Sequence, residues 1–194
     1  MSTNDSAGTL ASTSPQRDEA NLWFGAVIAH AAAAMLFCAV AFTAGFYRLR
    51  GFFPPMSARP GSLVPALAGG LLVIGAVLLH VALGRGSDPR RIRLTLLCTL
   101  GAGAGFLATQ AAWLHVLFWY RDLRIPGSGV FASALYGLSA VQAAHLSVVL
   151  VGVLRAGLRF LRGLEARAPL QRALPGWWCS TVMYGVLFAV VYLP

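Results

Sequence analysis

The chain has 194 residues, 58% of them hydrophobic and only 11% charged, with a mean hydropathy of +0.71. A soluble domain carries about a quarter charged residues, so this composition excludes a soluble globular protein and points to an all-α, polytopic membrane protein. The formal charge of +9 comes from fifteen basic residues, all arginine. They stand between apolar runs, so they carry topology information rather than a nucleic-acid-binding face.

Residues 1–20 are polar, rich in Ser and Thr, and aperiodic, which predicts a disordered segment before one membrane domain over 21–194. No positive region precedes the next apolar run, so the segment is not read as a signal peptide. Five runs then reach the length that a bilayer core demands, about 20 helical residues. The first, residues 22–47, has Trp23 near its start and Phe46 and Tyr47 at its end, as interfacial aromatic belts require. His30 lies about two turns in. A proline-stiffened loop with Arg48, Arg50 and Arg59 leads to the second span, 62–83, where Pro65 falls in the tolerant first turn and His80 lies near the far end.

A short loop carrying Arg85, Arg90 and Arg91 precedes the third span, 94–119. Its Gly101-Ala-Gly103-Ala-Gly105 run has no strand before it, so a nucleotide loop is not indicated. Gly101 and Gly105 instead fit the GxxxG spacing of closely packed membrane helices. Gln110 and His115 are its polar residues, and Trp113, Trp119 and Tyr120 crowd its end. The connector to the next run is short, which makes the third and fourth spans antiparallel neighbours.

The fourth span, 128–154, has no charged side chain. Ser133, Gly137, Ala140, Ala144 and Ser147 recur every three or four residues, the pattern of a face packed against another helix. Gln142 and His145 share one face near the middle. We read them as a buried polar contact that fixes helix packing, with Gln110 facing them from the third span. Arg155, Arg159 and Arg162 follow, on a helix that either continues past the headgroups or lies on the interface. Pro169 and Pro175 are expected to break it. The fifth span, 176–193, opens with Trp177 and Trp178 at the interface. Cys38, Cys98 and Cys179 form no CxxC and read as small apolar packers.

Ten arginines fall on the side of the N-terminus and five on the other. The positive-inside rule therefore predicts a cytoplasmic N-terminus and an external C-terminus. No Asp, Glu, Arg or Lys lies at depth, where pumps and transporters place carboxylates or paired charges. Four histidines and two glutamines remain. The best-placed pair for a bis-His haem is His30 with His145. No HExxH, GxSxG or phosphate-loop motif occurs in a usable context, so no catalytic, cofactor-binding or metal-binding residue is assigned.

Three segments carry a resemblance. SGVFASALYGLSAVQAAHLSVVLVGVL is similar to a segment with an S/G-x-F start and an H-G-x-H-V-x-x-G region. GAGFLATQAAWL resembles G-x-x-F-x-x-x-Q/E-x-x-E-W/F, and WWCSTVMYGVLFAVVYL resembles a closing W-H-F-x-D-x-V-W-x-x-x-F-x-x-V-Y-L helix. Together they resemble subunit III of the haem-copper terminal oxidases, in its five-helix form. The resemblance covers residues 22–193. It implies a non-catalytic subunit of the bacterial plasma membrane that packs against subunit I, with subunit II nearby, within an oxygen-reducing respiratory complex. It also implies bound phospholipid, with haem and copper held by the partner subunits rather than this chain. Gln142 stands where the family has the first His of its pair, and His145 matches the second. Ala33 replaces an acidic residue, Trp178 and Thr181 stand for His and Asp, and Trp113 takes a Glu position. Such a polar-depleted relative keeps the scaffolding role, which needs only helix faces and lipid contacts. The alternatives are an accessory subunit of a nitric oxide reductase system and a stand-alone membrane dihaem cytochrome or carrier.

Overall fold

A computed structural model describes residues 15–84, 88–164 and 167–193. Its helices are α1 (Pro15–Leu49), α2 (Leu63–Ala82), α3 (Pro89–Tyr120), α4 (Gly129–Leu161) and α5 (Arg167–Tyr192), with one 3-10 turn at Met56–Ala58. All five helices are long and apolar enough to cross a membrane, and the described residues contain no strand. The chain is a helical membrane protein with five candidate spans.

All the helices but α2 run past the predicted apolar cores, and α3, α4 and α5 do so through arginine-bearing turns. α1 starts at Pro15, inside the stretch expected to be disordered. Proline is tolerated in a first turn, whose N–H groups have no intrahelical acceptor. Residues 1–14 lie outside the described ones. At α3, Asp88 caps the helix by accepting from the Arg90 N–H at 3.1 Å. Of the two paths open after the fourth span, the chain takes the first. α4 continues through Arg155 and Arg159 to Leu161, where Gly163 at φ 70° supplies the left-handed turn that ends it.

The expected break at Pro169 and Pro175 does not occur. α5 begins at Arg167, so Pro169 falls in its first turn, and Pro175 is accommodated inside the helix. This earlier start corrects the position of Trp177. The residue lies nearly three turns into the helix and is fully buried, while Trp178 faces outward.

Helices α2, α3, α4 and α5 form a closed ring, each packed on the next, and α1 lies against α4 and α5. Trp177 fills the middle of the ring. Its Nε1 donates to the Leu72 carbonyl at 2.9 Å. Gly75 of α2 and Gly103 of α3 make room for its ring, since a Cβ at either would overlap it. One layer further along, Tyr184 donates to the Pro65 carbonyl at 2.8 Å and meets Phe106 edge to face at 4.9 Å. Trp113 Nε1 donates to the Tyr192 hydroxyl at 3.1 Å. The last carbonyls of α5 are capped by guanidinium groups. Arg48 donates to the Ala189 and Val190 carbonyls at 2.9 Å each, and Arg59 donates to the Leu193 carbonyl at 3.2 Å. Positive groups at a helix C-terminus also complement its dipole. Partial burial, then repulsion from Arg48, draws Arg59 below the usual guanidinium value.

Candidate functional site

Of the buried polar residues of the ring, Ser139, Gln142 and His145 lie on α4, Gln110 and Ser180 bond to them, and Thr99 bonds within α3. His145 Nδ1 lies 3.0 Å from Ser180 Oγ on α5, and its Nε2 lies 3.0 Å from His30 Nδ1 on α1. The two imidazoles meet edge to face, with centroids 5.1 Å apart and planes at 86°. Gly176 seats His30, because a Cβ there would come within 2.6 Å of His30 Nε2. One turn back on α4, Gln142 Nε2 donates to the Ser180 carbonyl at 2.8 Å. Gln142 is wholly buried, and its Oε1 has no hydrogen-bond partner among the described residues. Side chains from three helices thus converge on Ser180 and His145.

Gln110 was expected to face this pair. Instead it meets α4 one turn earlier and donates to Ser139 Oγ at 3.0 Å, with both residues buried. The α3–α4 and α4–α5 contacts are therefore separate polar clasps. Ser139 precedes Gln142 by three residues, on one face of α4.

The glycine expectations divide. Gly105 is in ordinary contact, with its Cβ position 3.5 Å from Leu71, and Gly137 lies near Val40. Gly101 is exposed with nothing beside its Cβ position. A two-residue shift in register moves the close approach of α3 to Gly103, which abuts Leu150 and Trp177. Of the small-residue face of α4, Ser133, Ala140, Ala144 and Ser147 are exposed among the described residues.

Two grooves run along the α1–α4 seam. One, of about 720 Å³, is lined by Ala26, Ala29, His30 and Ala33 on α1 and by Ala144, His145 and Val148 on α4, with Arg155, Arg159 and Arg172 at one end. The other, of about 630 Å³, lies toward the opposite end between Thr43, Tyr47, Val130 and Ser133. His80 and His115 are exposed, on α2 and α3. Among the described residues, no three His, Cys, Asp or Glu side chains group so as to hold a metal. His30 and His145 spend their facing nitrogens on each other. A haem would need them to address one iron from opposite sides.

Ser180, Ser139, Gly176 and Gly75 were not singled out from the sequence. The available signal was the α5 register Trp177, Ser180, Tyr184, Leu187, Val191, whose three- and four-residue steps mark one buried face. No protein-family model matches the chain, and no curated protein matches it.

Proposed function

We propose that this chain is a subunit-III-like, non-catalytic membrane subunit of a bacterial haem-copper terminal oxidase. In this reading it stabilises the catalytic subunit I, lies near subunit II and holds lipid along its α1–α4 seam. The reading rests on the resemblance of the α3, α4 and α5 segments. One observation carries the scaffold role. The buried polar side chains of α4 are engaged by neighbouring helices, through Gln110–Ser139, Gln142–Ser180 and His30–His145–Ser180. Polar side chains bound in this way hold helices in register. Exposed small residues on α3 and α4 leave close-approach surface for helices of other chains, and the arginines beside the larger groove suit anionic headgroups. The N-terminus is cytoplasmic by the arginine count.

The test is the double variant Gln142→Leu, His145→Leu in the host membrane. Less assembled oxidase, with unchanged turnover per haem in what does assemble, is the predicted outcome. A fully assembled oxidase without turnover would contradict a purely structural role.

A further inference from the structure

A cavity of about 460 Å³ opens where the α1–α2 loop, the α3–α4 connector and the first turn of α4 meet. Phe53, Pro54 and Phe131 supply apolar wall, and Arg59 and Arg121 are the charged residues of its lining. No carboxylate is among the lining residues. Asp122, next to Arg121 in the chain, is exposed and pairs with Arg124 at 2.9 Å. Arg59 is half-buried and fixed in place. Its Nε donates to the Pro54 carbonyl at 2.9 Å and its Nη1 to the Leu193 carbonyl at 3.2 Å, and its guanidinium lies over the Phe53 ring, 5.7 Å from the centroid. Both acceptors are neutral, so they satisfy N–H groups without cancelling the charge. Arg121 ends α3 on a connector that is itself tied down. The Leu123 N–H donates to the Leu117 carbonyl at 3.0 Å, and the Tyr136 hydroxyl donates to the Leu123 carbonyl at 2.9 Å. The Arg121 side chain makes no hydrogen bond or ion pair with any described residue.

Partly buried cations without a counter-charge are unfavourable, and two that share a cavity repel each other. An anion between them removes both costs. We propose that this cavity binds a phosphate monoester or inorganic phosphate between Arg59 and Arg121. The oxygens of a phosphate diverge, so guanidinium groups from two separate segments can each bond to one of them. Its charge of about −1.5 to −2 near neutral pH also matches two arginines, where a carboxylate would leave one uncancelled. The phenylalanine and proline wall suits the carbon skeleton of an ester. The same chemistry arrives as free phosphate or as the headgroup of phosphatidic acid. The cavity lies at the opposite end of α4 from Arg155, so it is separate from the lipid seam. It does not rest on the oxidase reading, and either proposal can fail alone.

The test uses the full chain, with any subunits that accompany it, purified in a phosphorus-free detergent and stripped of lipid. Equilibrium dialysis against radiolabelled inorganic phosphate and, separately, retention of phosphatidic acid are measured for the parent, Arg121→Gln and Arg155→Gln. Arg121→Gln removes a side chain that bonds to no described residue, so the fold is kept. Saturable binding that Arg121→Gln weakens about tenfold or more is the expected result, as for loss of a hydrogen bond to a charged group. Arg155→Gln should retain this Arg121-dependent binding. Uptake of inorganic phosphate supports the site with a soluble ligand, and uptake of phosphatidic acid alone supports it with a lipid headgroup. No saturable binding of either, binding indifferent to Arg121→Gln, an equal loss in Arg155→Gln, or displacement by an equal concentration of acetate would each overturn the proposal.

Discussion

His145 joins three helices through its two ring nitrogens. It sits on α4, reaches α1 through His30 and reaches α5 through Ser180. Removing it leaves two polar groups unmet inside the bundle. His145→Leu is therefore predicted to destabilise the protein by about 1 to 3 kcal/mol, the cost of stranding buried hydrogen-bonding groups. Gln142→Leu should cost less, under about 1 kcal/mol, because it removes the unpartnered Oε1 together with the bond to Ser180. Reversible unfolding in mixed micelles would rank the two variants, and an equal or reversed ranking would refute this account of the site. A double-mutant cycle on His30 and His145 should give a coupling of about 0.6 kcal/mol, and no more than about 1.7 kcal/mol, the mean and the maximum found for interhelical hydrogen bonds in a membrane protein. The importance of Gln142 and His145 was legible in the sequence, since polar residues at depth are rare. Their partners were less so. Ser180 and Ser139 look like any small residue of an apolar run until the helix registers are known.

At the scale of the elements, the five helices were legible because a bilayer demands long apolar runs. Their inner and outer faces were not, because lipid accepts the same side chains as a protein core and weakens the amphipathic pattern that marks a soluble helix. The ends misled for a different reason. Pro169 and Pro175 were expected to stop a helix, yet the first lies where no backbone donor is required. That moved Trp177 from the interface to the centre of the ring. The glycine run of α3 shows the same limit. Its spacing announced close packing but fitted either Gly101 with Gly105 or the face of Gly103. Gly103→Ala is predicted to cost about 1 to 3 kcal/mol through overpacking against Trp177 and Leu150. Gly101→Ala meets nothing and should stay within about 0.5 kcal/mol of the parent. Melting temperatures of the two variants decide the register, and a larger loss at Gly101 would contradict it.

For the whole molecule, a closed four-helix ring with one helix on its flank is a design in which most polar groups at depth serve assembly. Its arginines bias the two membrane faces. Ten lie on the N-terminal side and five on the other, so a reporter active only in the cytoplasm should function when fused to the N-terminus. An inactive N-terminal fusion with an active C-terminal one would reverse the topology. The proposed role gives the exposed small-residue surfaces on α3 and α4 to other chains, and it stands or falls on which chains arrive. The most direct measurement is gentle detergent purification through a tag on this chain, with the co-purifying proteins and the visible spectrum recorded. Co-purification of a haem-copper subunit I and a copper-binding subunit II, with the haem assigned to those partners, is the predicted result. A stable, isolated monomer, or a Soret band that stays with this chain alone, would contradict the account.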